Sequence, residues 1–192
     1  ALKDEGKDVI VLAAGEPDFN TPKNIRDAAS KAMEEGKTKY VPGKGTPELQ
    51  KAIQKKFRED NNIDYQLDEI ICGVGGKHII YNAMMATINP GDEVIITAPF
   101  WVSYPDIVLL AEGNPVIVEC PQSQNFKITP EQLEKNINSK TKWLMLNSPS
   151  NPTGSVYSKK ELEDLALILK KYPNVLITVS YTHLRAHETY RD

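Results

Sequence analysis

The residues best suited to chemistry stand where short apolar runs end. Gly73-Val74-Gly75-Gly76-Lys77 closes the run Glu69–Val74 and opens a helix expected over His78–Ile88. Glycines let the backbone approach a ligand, and the free N–H groups and dipole of a helix start favour an anion. Gly75, Gly76 and Lys77 therefore form a candidate phosphate cup. The segment is neither the GxGxxG dinucleotide fingerprint nor a Walker A loop, and a tight glycine turn is the plain alternative. Ala98-Pro99-Phe100-Trp101 follows the run Glu93–Thr97, which puts Trp101 where its face can stack on a planar ring, or fill a core. Asn147-Ser148-Pro149-Ser150-Asn151-Pro152-Thr153-Gly154 follows Trp143-Leu144-Met145-Leu146 directly. Prolines stiffen that loop, and Asn151 offers an amide donor and acceptor at a defined point. Gly15, in Ala14-Gly15-Glu16-Pro17-Asp18-Phe19, can present a backbone N–H to a carboxylate or simply turn the chain. Tyr40 precedes Gly43 and Gly45; its hydroxyl can bind phosphate, although exposed loop tyrosines usually have no such task.

The elements that must position these residues can be read from the apolar runs. Strands are expected at Val9–Leu12, Glu69–Val74, Glu93–Thr97, Pro115–Cys120, Lys142–Leu146 and Val175–Val179. Most are rich in Val, Ile and Leu without clean alternation, as in strands covered on both faces. Thr21-Pro22, Thr46-Pro47 and Thr129-Pro130 each place a capping hydroxyl before a proline at the first helical position. Thr129 with Gln132, and Ser158 with Glu161, also have capping-box spacing. Leu162, Leu165, Ile168 and Leu169 mark one apolar stripe on the last of these helices. Alternating strands and helices predict an α/β fold with three layers, a largely parallel sheet flanked by helices.

Composition excludes several function classes. The chain has 192 residues and a formal net charge of −3, with a pI near 5.7, which argues against nucleic acid or an anionic membrane as partner. No apolar run reaches the length of a membrane span, and no charged-then-apolar leader suggests secretion. Cys72 and Cys120 lie in strand-like runs and read as buried free thiols, which fits a reducing cytoplasm. His183 and His187 have helical i, i+4 spacing but no third ligand, so no metal is expected.

In their order, GEPDF, KTKY with its following glycines, GVGGK, APFW and NPTG resemble the class I (fold type I) pyridoxal-phosphate aminotransferases, and among them the prokaryotic-type aspartate aminotransferases. The resemblance runs from residue 1 to about residue 180. It implies pyridoxal 5′-phosphate as cofactor, and an amino acid, aspartate first, and a 2-oxo acid as substrates. It implies that Gly15 contacts the substrate carboxylate, and that Gly75, Gly76 and the helix start hold the cofactor phosphate. Trp101 would stack on the pyridine ring, and Asn151 would hydrogen-bond its phenolic oxygen. Tyr40 would reach the phosphate of a neighbouring subunit, so a homodimer with shared sites is expected. Lys77 would face the distal carboxylate of a dicarboxylic substrate, a solvated lysine at a helix start being the alternative. The same resemblance makes Asn151–Pro152 and Ala98–Pro99 cis.

The pattern breaks after Ser180. The family continues there with Asp-x-x-Tyr, whose aspartate pairs with the pyridine nitrogen; this sequence reads Ser180-Tyr181-Thr182-His183. The family's Schiff-base lysine and carboxylate-gripping arginine lie further on. The expectation is therefore a fragment without catalytic residues of its own and of marginal stability. Its domains would be a small-domain segment with a substrate loop (1–20), a partial large cofactor-binding domain (21–180) and a tail foreign to the fold (181–192). Related alternatives are a prephenate-type aminotransferase and a fold type I lyase. Outside the enzymes stand a non-catalytic, aminotransferase-like sensor domain and a nucleotide-binding α/β domain, the latter weakened by the absent fingerprint.

Overall fold

The computed structural model describes residues 5–10 and 19–180. Two compact units are present, Ala1–Thr46 and Pro47–Asp192. In the first, helix α1 spans Lys23–Glu34 and buries none of its residues. It begins one residue later than the Thr21-Pro22 signal suggests. Pro22 has ψ 142°, outside the helical range, so it serves as the cap while Lys23 starts the helix. The expected strand Val9–Leu12 is not formed at Val9 and Ile10, which are irregular; its other half lies outside the described residues, as do Gly15 and the 181–192 tail.

The second unit begins with α2 (Pro47–Asn61). Gln50 on this helix is buried, and its side-chain amide donates to the Leu67 carbonyl (3.1 Å) and the Ile70 carbonyl (2.7 Å). This explains a correction to the sequence reading. Glu69–Val74 runs on from a one-turn 3-10 helix, Leu67–Glu69, without joining a strand. Its Ile70 carbonyl is taken by a glutamine, and Ile71 and Val74 stay exposed.

From there the chain alternates. Helix α3 is Gly76–Thr87, β1 Glu93–Ala98, α4 Ser103–Leu110 and β2 Asn114–Glu119. Helix α5 is Pro130–Asn136, β3 Thr141–Asn147, α6 Lys159–Leu169 and β4 Leu176–Ser180. The strands form one sheet in the order β2-β1-β3-β4, with every neighbouring pair parallel. Successive strand side chains point to opposite faces, and the core divides accordingly. Val94, Ile96 and Met145 pack with Ile80 and Met84 of α3 and Ile107 and Val108 of α4. Ile95, Leu144 and Leu146 pack with Leu133 of α5 and Leu165 of α6. This is the three-layer α/β arrangement expected from the alternation of runs.

The helix starts are written as the capping chemistry requires. The Gln132 N–H donates to Thr129 Oγ1 (3.2 Å), while the Thr129 N–H donates to Gln132 Oε1 (3.1 Å). At α6 the Glu161 N–H donates to Ser158 Oγ (3.3 Å) and the Ser158 N–H to the Glu161 carboxylate (2.7 Å). The α6 stripe is only partly covered: Leu165 is buried, whereas Leu162 is 43% exposed. Both cysteines are free thiols. Cys72 is half-buried rather than buried, while burial pushes the Cys120 thiol up to about 11.

Candidate functional site

The chain leaves β1 toward the sheet edge that holds β2, and leaves β3 toward the edge that holds β4. The winding thus reverses between these two central strands. Doubly wound sheets bind ligands at such a point, outside the carboxyl ends of the strands. The segments after β1 and β3 carry Trp101 and Asn151, respectively.

Beside Trp101 stands the start of α3. Gly75 caps the helix with φ 105° and ψ 162°, a backbone region essentially reserved for glycine. A glycine cap has no side chain to bond the first-turn N–H groups, and that turn contains no acidic residue. These donors, with the positive end of the helix dipole, can take up an anion. Gly73 is small for a different reason: an added Cβ there would stand 2.5 Å from Ile79 Cδ1 and 2.8 Å from His78 Nδ1. His78 folds back so that the Val74 N–H donates to its Nδ1 (3.3 Å). Nδ1 is therefore the acceptor nitrogen of this ring. The sequence reading did not single out His78; its position one helical turn after Val74 was the available signal.

Lys77 joins the helix start to the loop after β1. Its Nζ lies 4.8 Å from the centroid of the Trp101 ring, within cation–π range. Trp101 also meets Tyr104 edge to face, with centroids 5.4 Å apart. The indole is half-buried and held from α4, with the ammonium over one of its faces. A planar ring stacking on Trp101 would use the opposite face or displace Lys77.

The loop after β3 is pinned at many points. Within it Asn151–Pro152 is cis, as expected, and so is Ser148–Pro149, which was not anticipated; Ala98–Pro99, at the end of β1, is cis as expected. The Asn151 N–H donates to Asn147 Oδ1 at 2.5 Å, and the Ser150 N–H to the Ser155 carbonyl at 2.9 Å. The Tyr157 N–H donates to Ser148 Oγ (3.1 Å), and the Ser155 hydroxyl donates to the Asn125 carbonyl (2.7 Å). Buried Tyr157 accepts the Ile128 N–H at its hydroxyl (2.9 Å), and its own ionisation is pushed up to about 12, chiefly by burial. Lys127 completes the lock, donating to the Val156 carbonyl (3.3 Å) and pairing with Glu161 at 2.5 Å.

That pair makes the lock acid-sensitive. The hydrogen bond from Lys127, followed by those from Ser158, holds the Glu161 carboxyl down at about 2, against an ordinary 4.5. A depressed carboxyl contributes stability fully above its unfolded value and loses it as pH falls toward the folded one. Glu161→Gln is therefore expected to be less stable than the parent at about pH 6, with the gap closing as pH falls from about 5 to about 2. Urea midpoints across that range read this directly; a constant gap would contradict it.

The remaining sequence candidates lie in the first unit or outside the described residues. Tyr40 belongs to the first unit and is fully exposed there. Gly15, His183 and His187 lie outside the described residues. Among the described residues no cluster of His, Cys, Asp and Glu can hold a metal ion, and no helix is long and apolar enough to cross a membrane.

Comparison with known proteins identifies the class. Residues 7–183 match the family described as aminotransferase class I and II, and the chain belongs to that family. A Rickettsia bellii protein named "Probable aspartate/prephenate aminotransferase" is 57% identical over 95% of this chain and 46% of its own length. The crystal structure of an aspartate aminotransferase from Rhizobium meliloti superposes with a TM-score of 0.89 at 50% identity, covering 93% of this chain and 45% of that one. The Thermus thermophilus aspartate aminotransferase with maleate gives a TM-score of 0.89 at 44% identity, covering 95% and 48%. The chain thus spans less than half the length of the relatives it matches.

Proposed function

We propose that the chain is the cofactor-holding part of a pyridoxal-phosphate aminotransferase that exchanges an amino group between an amino acid, aspartate in the first place, and a 2-oxo acid. The observation that carries this reading is the meeting of the α3 start with Trp101, through Lys77 at 4.8 Å, at the switch point that also receives the Asn151 loop. The donor types suit the group. The free N–H groups after Gly75 fit a phosphate, the Trp101 face fits a pyridine ring, and the Asn151 amide fits a phenolic oxygen. When bound, that cofactor supplies an electron sink for the bonds at the substrate Cα.

The chain's own residues bind and orient. Gly75, Gly76 and Lys77 fix the phosphate end, while Trp101 limits the tilt of the ring. Asn151 sets its rotation. Gly15 presents its N–H to the substrate carboxylate, and Tyr40 serves the phosphate of a second subunit in a homodimer. A cytoplasmic location goes with this reading. The maleate present with the Thermus thermophilus aspartate aminotransferase supports a dicarboxylic substrate for this chain, with the Lys77 ammonium as the counter-charge. The Rickettsia name supports prephenate as a second partner; it too carries a second carboxylate for Lys77.

The resemblance assigns the cofactor-bearing lysine to the part of the relatives that this chain does not span. The 192-residue chain is therefore expected to bind pyridoxamine 5′-phosphate, which needs no lysine bond, and to give no oxaloacetate from aspartate and 2-oxoglutarate. Trp101→Ala should weaken that binding by about tenfold, the worth of a good aromatic contact. Binding that ignores Trp101, or reproducible turnover by this chain, would overturn the reading.

A further inference from the structure

We propose that Asn147 is a positioning residue for Asn151, acting through the backbone to set the direction of the Asn151 side chain. The proposal rests on the reading that Asn151 meets the phenolic oxygen of the cofactor. Asn147 is the last residue of β3, paired in the ladder with Ser180, and it is a buried polar residue at the end of the buried stretch Leu144–Leu146. Its Oδ1 receives the N–H of Asn151 itself, at 2.5 Å. The bonded atom is certain in kind, because a backbone N–H can only donate and so must face the amide oxygen.

The rest of the loop does not depend on this bond. Ser150 N–H reaches the Ser155 carbonyl, Gly154 N–H the Ser150 carbonyl, and Tyr157 N–H the Ser148 hydroxyl. Losing the Asn147 acceptor would therefore leave these three bonds in place and release the Asn151 N–H. A residue that merely supported the fold would affect every ligand of the site alike; loss of the Asn147 acceptor should be felt chiefly by what Asn151 touches.

The test compares pyridoxamine 5′-phosphate with its analogue lacking the 3-hydroxyl, titrated by calorimetry into the chain and into Asn147→Ala. The unaltered chain should prefer the hydroxylated ligand by about tenfold, the worth of one hydrogen bond. In Asn147→Ala that preference should fall to about twofold or less, while affinity for the deoxy analogue stays within about twofold. In a second measurement, the Asn151 amide proton should resonate well downfield in the chain and in Asn147→Asp, which keeps the acceptor, and move upfield in Asn147→Ala. Equal weakening toward both ligands, an undiminished preference, or an unmoved amide proton would overturn the role of Asn147. An unaltered chain with no preference would instead overturn the reading of Asn151 on which it rests.

Discussion

Leu144→Ala is expected to destabilise the Pro47–Asp192 unit by about 2–5 kcal/mol, the usual range for deleting a fully buried leucine. Leu144 has no exposed surface and sits on β3, which is hydrogen-bonded to β1 on one side and β4 on the other. Its side chain belongs to the cluster shared by α5 and α6, with Leu133, Leu146 and Leu165 as further members. Ladders on both sides limit how far the backbone can shift to close the hole, so the cavity penalty adds to the lost transfer energy. Leu162→Ala provides the contrast. Leu162 is 43% exposed on α6, and its truncation is expected to cost under about 1 kcal/mol, as alanine is also the better helix former. Urea unfolding should separate the two variants clearly; equal midpoints would mean that the β3 core is not packed as described.

Gly75→Ala is expected to cost about 1–3 kcal/mol, because a side chain must then occupy a backbone region that only glycine adopts freely. The penalty is conformational rather than steric, since an added Cβ at Gly75 meets nothing within 4 Å. Gly76→Ala places a methyl group in equally open space at the first residue of α3. No positive φ is required there, so this change is expected to be neutral or slightly stabilising. The pair separates a glycine needed for its geometry from one that is merely adjacent. Phosphate affinity should follow the same order, falling in Gly75→Ala as the first-turn N–H groups lose their alignment and persisting in Gly76→Ala. Thermal melts with and without inorganic phosphate read both effects, and a reversed order would contradict this account of the α3 start.

What the sequence makes legible here follows from where the determining forces are local. The four sheet strands can be read because each is an apolar run bounded by polar turns, but only the central β1 and β3 are covered on both faces; Ile117 of β2 and Leu176, Ile177 and Val179 of β4 stay exposed. The α5 and α6 starts can be read because Thr129–Gln132 and Ser158–Glu161 satisfy their caps within three residues. Glu69–Val74 has a similar composition and misleads. Its Ile70 carbonyl is taken by Gln50, twenty residues upstream, and no local pattern announces that bond. The same holds within the site. Gly75, Trp101 and Asn151 are visible as the ends of runs, but the approach of Lys77 to Trp101 depends on how α3 packs beside β1. The bond from Asn151 to Asn147 spans only four residues. A polar residue closing an apolar run was its only signal, and many strand ends share that signal without such a partner.

The central claim is that the α3 start, Trp101 and the Asn151 loop hold one phosphorylated pyridine ligand between β1 and β3. A crystal structure of the chain with pyridoxamine 5′-phosphate tests it most directly. The account predicts the phosphate on the N–H groups following Gly75, the ring against the Trp101 indole and the phenolic oxygen on the Asn151 amide. A ligand seated elsewhere, or a phosphate held away from the start of α3, would contradict it.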